Sequence, residues 1–211
     1  EKAISPAATK ALEAKYGLDK PMAERYFTYI SDAAHGDFGD SLKQRGRTVM
    51  DIIATKFPVS AKLGGMAVVL ALCVGVPLGV LAAYKRGTFI DSLFSVIATC
   101  GIAVPGFVIC TLLLYVFGVK LQWLPTLGLK SAQSYIMPVI ALAAYPTSYI
   151  MRLMRSSMLD VLGQDYMRTA KAKGLSQKVS LFKHALRNAI LPVITYVGPM
   201  LAYTLTGSFV T

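Results

Sequence analysis

Few side chains in this sequence could do covalent or metal chemistry. His35 and His184 stand alone in polar stretches, with no second ligand at a metal-binding spacing. Cys73, Cys100 and Cys110 are odd in number, form no CxxC, and sit inside apolar runs, so they read as small core hydrophobes. No paired carboxylates, no nucleophile beside a base and no G-x-x-x-x-G-K-[ST] phosphate loop stand out. No catalytic residue and no metal ligand is therefore expected, and the chain itself is expected not to be an enzyme. If it does pumping work, nucleotide must be hydrolysed by another chain. The informative residues are of another kind. Between positions 151 and 188 lie Arg152, Arg155, Arg168, Lys171, Lys173, Lys178, Lys183 and Arg187. Within that stretch, Thr169-Ala170-Lys171-Ala172-Lys173-Gly174 combines small side chains with positive charge. Small side chains let a partner's surface come close to the backbone. The residues alone leave two readings open: a docking point for another protein, or a basic loop resting on anionic lipid.

The elements that must hold this stretch follow from its pattern. Residues 156–173 are helix-compatible apart from Gly163, and Gly174 suits a left-handed C-cap. Ser176 opens a second helix with Val179, Phe182 and Leu186 on one face. The expected result is a helical hairpin whose amphipathic second arm rests against the membrane. On either side the sequence is strongly apolar. Mean hydropathy is +0.53, and charged residues make up only 16% against 55% hydrophobic, whereas soluble domains carry about 25% charged residues. Four apolar runs cover 58–84, 92–119, 135–151 and 189–211. A spanning helix needs about 20 residues, with a range of about 17–25, so each run reads as one membrane helix.

Charge sets the orientation. The net charge is +11. Residues 1–57 hold nine Lys/Arg and eight Asp/Glu, so nearly all of the excess lies in 58–211. A chain this basic could bind nucleic acid. The cations fall between apolar runs, however, as the positive-inside bias of membrane loops requires, and no nucleic-acid partner is expected. Lys85 and Arg86 follow the first run, and the arginine-rich stretch follows the third. Both loops are assigned to the cytoplasm. Strict alternation then places 1–57 outside. That segment is polar and amphipathic: Ser5-Pro6 starts a helix that Gly17 ends, Pro21 opens a second that Gly36 caps, and a third fits 48–57.

The spans are rich in residues that perturb helices. Gly75 and Gly79 form a GxxxG pair around Pro77, which suits close helix packing. Pro105-Gly106 breaks the second run, and Pro138, Pro146, Pro192 and Pro199 mark the others. Freed backbone groups in lipid need another helix or a watery cavity, so these helices are expected to pack as a bundle around a path. No Asp, Glu, His or Arg occupies the middle of a run, which counts against an ion-coupled carrier. A secondary carrier or channel not powered by ATP is the alternative, and a membrane enzyme has no reactive side chain to support it.

Several stretches resemble a known family. Asp165-Tyr166-Met167-Arg168-Thr169-Ala170-Lys171-Ala172-Lys173-Gly174-Leu175, followed by His184-Ala185-Leu186-Arg187-Asn188-Ala189-Ile190-Leu191-Pro192, is similar to the EAA loop of ATP-binding-cassette (ABC) importer permeases. It resembles most the oligopeptide/dipeptide/nickel branch, and within it the oligopeptide permease transmembrane subunits. Tyr16-Gly17-Leu18-Asp19-Lys20-Pro21, Gly36-Asp37-Phe38-Gly39-Asp40-Ser41, Phe57-Pro58-Val59-Ser60-Ala61-Lys62-Leu63, Leu124-Pro125 and Thr206-Gly207-Ser208 fit the same branch. The resemblance covers nearly the whole chain. It departs from the generic motif where Glu-Ala-Ala would stand: aligned on Gly174, those positions are Arg168, Thr169 and Ala170. No role for an acidic residue there carries over.

The resemblance implies an all-α, polytopic transmembrane helical bundle, with four spans in this stretch and six in the full protein, plus an external helical segment. Residues 1–57 would be that periplasmic-side segment, and 58–211 the permease domain with its cytoplasmic coupling loop at 152–188. One helix is expected before Glu1 and another after Thr211. The function implied is that of a permease subunit in the bacterial inner membrane, importing oligopeptides or dipeptides. Its implied partners are a second homologous permease, two cytoplasmic ATPase subunits, an external peptide-binding protein and membrane lipid. ATP would be used by the ATPase subunits, with no cofactor bound here. The ATPase-coupling residues implied are Asp165, Tyr166, Arg168, Thr169, Ala170, Ala172, Gly174 and Leu175. Gly75, Gly79, Pro105 and Gly106 are the helix-packing positions.

Overall fold

A computed structural model describes residues 17–44, 46–176 and 179–207. The helix expected from Ser5-Pro6 and the end of the Thr206-Gly207-Ser208 stretch lie outside the described residues. The described chain is helical, with a single isolated antiparallel bridge between Asp40 and Thr48. It packs as two compact units, 1–58 and 59–211.

In the first unit, α1 spans Met22–Ala34. Gly36 ends it with φ +87°, and the Asp37 amide donates back to the Asp32 carbonyl at 2.9 Å, the six-to-one bond of a Schellman cap. Tyr26, Phe27 and Ile30 on α1 are all exposed. The next helix, α2, spans Val49–Tyr84. Its start is fixed by reciprocal bonds: the Asp51 amide donates to Thr48 Oγ1 at 3.1 Å, and the Thr48 amide donates to Asp51 Oδ2 at 3.3 Å. The expected break at Pro58 does not occur. The short helix read at 48–57 and the first apolar run form one helix of 36 residues, with Pro58 and Pro77 inside it.

In the second unit, α3 (Phe89–Ala103) and α4 (Gly106–Leu113) come from the second apolar run. A π-helical stretch, Leu114–Lys120, continues α4. Val104 takes extended backbone before Pro105, as a residue before proline prefers. The axis turns by 101° there. The break expected at Pro105-Gly106 is thus present, and the run read as one membrane helix is a broken span or a re-entrant pair. A 3-10 turn, Ala132–Tyr135, leads into α5, Ile136–Leu162. This helix extends well past the expected end at 151 and carries Arg152 and Arg155 as part of itself. It is followed by α6 (Asp165–Ala172), a π-helical stretch (Ser180–Ala185), α7 (Leu186–Ala189) and α8 (Leu191–Gly207). The chain bends by 45° near Ile190, where the far arm of the hairpin meets α8 at the start of the last apolar run.

Two helical segments, Val49–Tyr84 and Ala132–Leu162, are each long and apolar enough to cross a membrane, and there are up to four spans if each bent pair is one. Helices α3, α4 and α8 all pack on α5. The largest buried cluster joins Ala71 and Val80 of α2, Ile150, Met154 and Met158 of α5, Met167 of α6, Ala185 and Ala189 further on, and Met200 of α8. Its four methionines are fully buried. Unbranched thioether side chains fill the irregular gaps where helices of different tilt converge.

Candidate functional site

The hairpin that follows α5 is built in three pieces. Gly163 closes α5, its amide donating to the Leu159 and Asp160 carbonyls. The helix expected over 156–173 is therefore divided: 156–162 continue α5, and α6 is a separate element. Gly174 ends α6 with φ +78°. The Leu175 amide donates to the Ala170 carbonyl at 3.3 Å, again the six-to-one bond of a Schellman motif. A Cβ on Gly174 would meet nothing within 4 Å, so glycine is required there by backbone conformation and not by space.

Helix α6 has two faces. Met167 is fully buried and Ala170 is 8% exposed. They lie one turn apart, and Met167 seats the helix in the methionine cluster. Asp165, Tyr166, Arg168, Thr169, Ala172, Gly174 and Leu175 are exposed. Asp165 and Arg168 pair across one turn at 3.5 Å. Ala170 thus differs from the other residues expected at a docking surface: it faces inward. On the far arm, Ser180, Leu181, Ala185 and Ala189 are buried, while Phe182 is 60% exposed. Of the face expected from Val179, Phe182 and Leu186, Val179 and Phe182 are exposed, while Leu186 packs against the buried cluster. The inward face escaped the sequence reading because π-helical winding over Ser180–Ala185 shifts the period of burial away from 3.6 residues. Asn188 Nδ2 donates to Tyr166 Oη at 2.9 Å and ties the two arms together.

Beneath the hairpin, α5 is clamped to its neighbours. A Cβ on Gly75 would lie 2.8 Å from the Thr147 carbonyl oxygen, and one on Gly79 would lie 2.6 Å from the Met151 carbonyl oxygen. Real Cβ atoms do not approach so closely, so α2 and α5 are in backbone contact at these two glycines. Gly101 of α3 similarly abuts Ser148 of α5. Pro105 and Gly106 lie at the bend between α3 and α4, and Gly106 is in ordinary contact range of Ala141.

One charge pair had no sequence signal. Arg155 Nε donates to Asp91 Oδ1 at 2.6 Å, and its Nη2 donates to Oδ2 at 2.8 Å. Asp91 Oδ2 also accepts from the Gly87 amide at 3.0 Å. Asp91 is 5% exposed. This fork fixes the loop before α3 to the part of α5 that leads into the hairpin. The partners are 64 positions apart, so neither period nor spacing could join them.

Comparison with known proteins bears on the whole chain. Residues 75–211 match the family described as "Binding-protein-dependent transport system inner membrane component". The chain is 43% identical over its full length to the oligopeptide transport system permease protein OppB of Salmonella typhimurium strain LT2, covering 69% of that protein. It is 45% identical, again over its full length, to the dipeptide transport system permease protein DppB of Bacillus subtilis strain 168, covering 68% of it. With OppB of Escherichia coli K12 the identity is 41%, covering 69% of that protein.

Proposed function

Because the chain belongs to the family of binding-protein-dependent transport system inner membrane components, we propose that α6 is the coupling element through which a cytoplasmic ATPase drives its transport cycle. The chain is a multi-pass permease subunit of an ABC importer for oligopeptides or dipeptides in the bacterial inner membrane, and it is not itself an enzyme. In this reading it forms half of the translocation path, with a second homologous permease supplying the rest. Two ATPase subunits bind and hydrolyse the ATP. An external peptide-binding protein delivers cargo to the periplasmic side, where residues 1–57 lie, and 152–188 face the cytoplasm.

One observation carries the coupling role. Helix α6 shows a largely polar outer face while Met167 on its inner face belongs to the same buried cluster as residues of α2, α5 and α8. A force applied to the outer face is therefore delivered to the spanning helices, because a close-packed core transmits displacement and does not absorb it. Closure of the ATPase pair on nucleotide would move α6 as a lever and switch the path between inward- and outward-facing states.

The test is purification of the full-length protein from its own membranes with its stoichiometric partners. A second permease and two ATPase subunits, with ATP hydrolysis stimulated by peptide-loaded binding protein, are expected. A homomer without ATPase would overturn the reading. In the assembled complex, Gly174→Val should uncouple hydrolysis from transport, since a β-branched residue fits φ +78° poorly. Wild-type uptake by that variant would remove α6 from the coupling role.

A further inference from the structure

The membrane part of the chain carries a second surface that the coupling role does not use. Tyr145 and Tyr149 stand one turn apart on α5, and Tyr196 and Tyr203 two turns apart on α8. Both spacings place side chains on one face of a helix. The rings meet across the two helices: Tyr145 and Tyr149 are 6.3 Å apart between centroids, Tyr145 and Tyr203 5.8 Å, and Tyr149 and Tyr196 4.4 Å. The result is a continuous aromatic strip. Two cavities of about 420 Å³ each open along it. One lies in the angle at Pro105 and is bounded by Tyr145 and Tyr203. The other is bounded by Tyr145, Tyr149 and Arg152. Tyr145 borders both, so the strip runs from the Pro105 bend to Arg152.

Three features separate this strip from an ordinary lipid-facing surface. Tyrosines that anchor a helix in lipid sit at its interfacial ends, whereas Tyr145 lies well inside the apolar run 135–151, with Tyr149 one turn nearer Arg152. A phenolic hydroxyl there needs a polar partner, which hydrocarbon does not offer. The second feature is the sharp bend at Pro105, where extended backbone at Val104 faces the same cavity. Irregular backbone at membrane depth is found where it is buried in protein or lines a watery cavity. The third is the contrast between two arginines on one helix. Arg155 is saturated by Asp91. Arg152 is exposed and makes no ion pair among the described residues.

We propose that this tyrosine strip is the peptide-contacting wall of the translocation path, with Arg152 at one end receiving a carboxylate of the cargo. The inference rests on the peptide-importer reading above. Aromatic faces pack against any backbone or side chain, and phenolic hydroxyls both donate to and accept from peptide groups. Such a wall wets a peptide along its length without selecting its side chains. Arg152 adds the one directional element, a charge that only an acidic group complements. An anionic lipid headgroup has the same charge as a peptide carboxylate, and the experiment separates the two.

The full importer, with its ATPases and binding protein, is reconstituted in lipid vesicles after Cys73, Cys100 and Cys110 are replaced by serine. Tyr149→Cys and Tyr145→Cys are introduced singly, with Val69→Cys at an exposed apolar position as control. Variants that keep peptide-stimulated ATP hydrolysis are labelled with a charged, water-soluble thiol reagent. The strip positions should react at least about tenfold faster than Val69→Cys, and saturating peptide should slow them several-fold. Labelling as slow as the control, or labelling that peptide leaves unchanged, overturns the proposal. Arg152→Gln is tested with two peptides that differ by Glu for Gln and load the binding protein equally. Uptake of the Glu peptide should fall several-fold relative to the Gln peptide and recover in Arg152→Lys. An equal effect on both peptides, or an effect that follows the anionic lipid content of the vesicle, overturns the carboxylate role. If the unmodified complex shows no peptide-stimulated hydrolysis at all, the importer reading fails first.

Discussion

At the scale of single residues, the Asp91–Arg155 fork is the interaction with the largest expected cost of removal. Both carboxylate oxygens are engaged, and Asp91 is buried. Deleting Asp91 leaves the Arg155 charge unpaired, at less than the about 3–5 kcal/mol of a fully buried pair because Arg155 is 31% exposed, whereas replacing both by apolar groups is often nearly neutral. Asp91→Leu is therefore expected to lower the unfolding midpoint of the detergent-solubilised complex markedly, and Asp91→Leu with Arg155→Leu to recover most of it. A double variant as unstable as the single one would show that shape at this point matters more than charge. The conformational role of Gly174 was legible from the chain, because a glycine after a helical run followed by a new apolar period is a local signal. The Asp91 fork was not legible, since it depends on two helices lying side by side.

At the scale of elements, the hairpin separates what local pattern can and cannot say. The sequence identifies the small-residue stretch, but not which of its residues face outward. Periodicity assigns a stripe to each helix, and Met167 and Ala170 do stand apart from Asp165 and Arg168 in α6, but the resemblance assigned the whole stretch to one docking surface. Ala170 was expected on the docking surface and lies inward beside Met167, while Ala172 lies outward. The two alanines should therefore respond differently to the same substitution. Ala170→Trp must displace core side chains, and overpacking of this kind costs about 1–3 kcal/mol or more. It should lower the unfolding midpoint and disturb the hairpin itself. Ala172→Trp should leave the midpoint within about a degree or two, as surface changes usually do, yet abolish co-purification of the ATPase subunits by bulk at the docking face. Intact ATPase binding by Ala172→Trp, with a normal midpoint, would move the docking surface away from α6. The close approaches of Gly75 and Gly79 to α5 belong to this scale too. A GxxxG spacing marks them as small-residue positions, but the partner helix and the carbonyl oxygens at 2.8 and 2.6 Å come from the fold alone.

At the scale of the whole molecule, hydropathy and charge located the apolar segments well and their shapes poorly. Four runs were legible because lipid demands long uncharged stretches. The break at Pro105-Gly106 was marked by its residues, but neither the 101° size of that turn nor the 45° turn near Ile190 was legible, because a run's composition does not set the angle between its helices. Nor could composition show that α5 continues to Leu162 with its arginines in place. The orientation inferred from positive charge makes a prediction that needs no transport assay. The turn at Gly87-Thr88 and the loop after α6 should face the cytoplasm, and the loop around 121–131 should face outside together with the turn at Asp37. Single cysteines at Thr88, Ser131 and Asp37, in a full-length protein stripped of its native cysteines, would be exposed to an impermeant thiol reagent in intact and in opened cells. Ser131→Cys and Asp37→Cys should label in intact cells, and Thr88→Cys only after opening. If Thr88→Cys labels from outside, the hairpin that carries α6 also lies outside, where no ATPase can reach it, and the coupling role fails with the topology. If only Asp37→Cys is protected in intact cells, the coupling side stands and the first unit must instead lie in the cytoplasm, away from the binding protein.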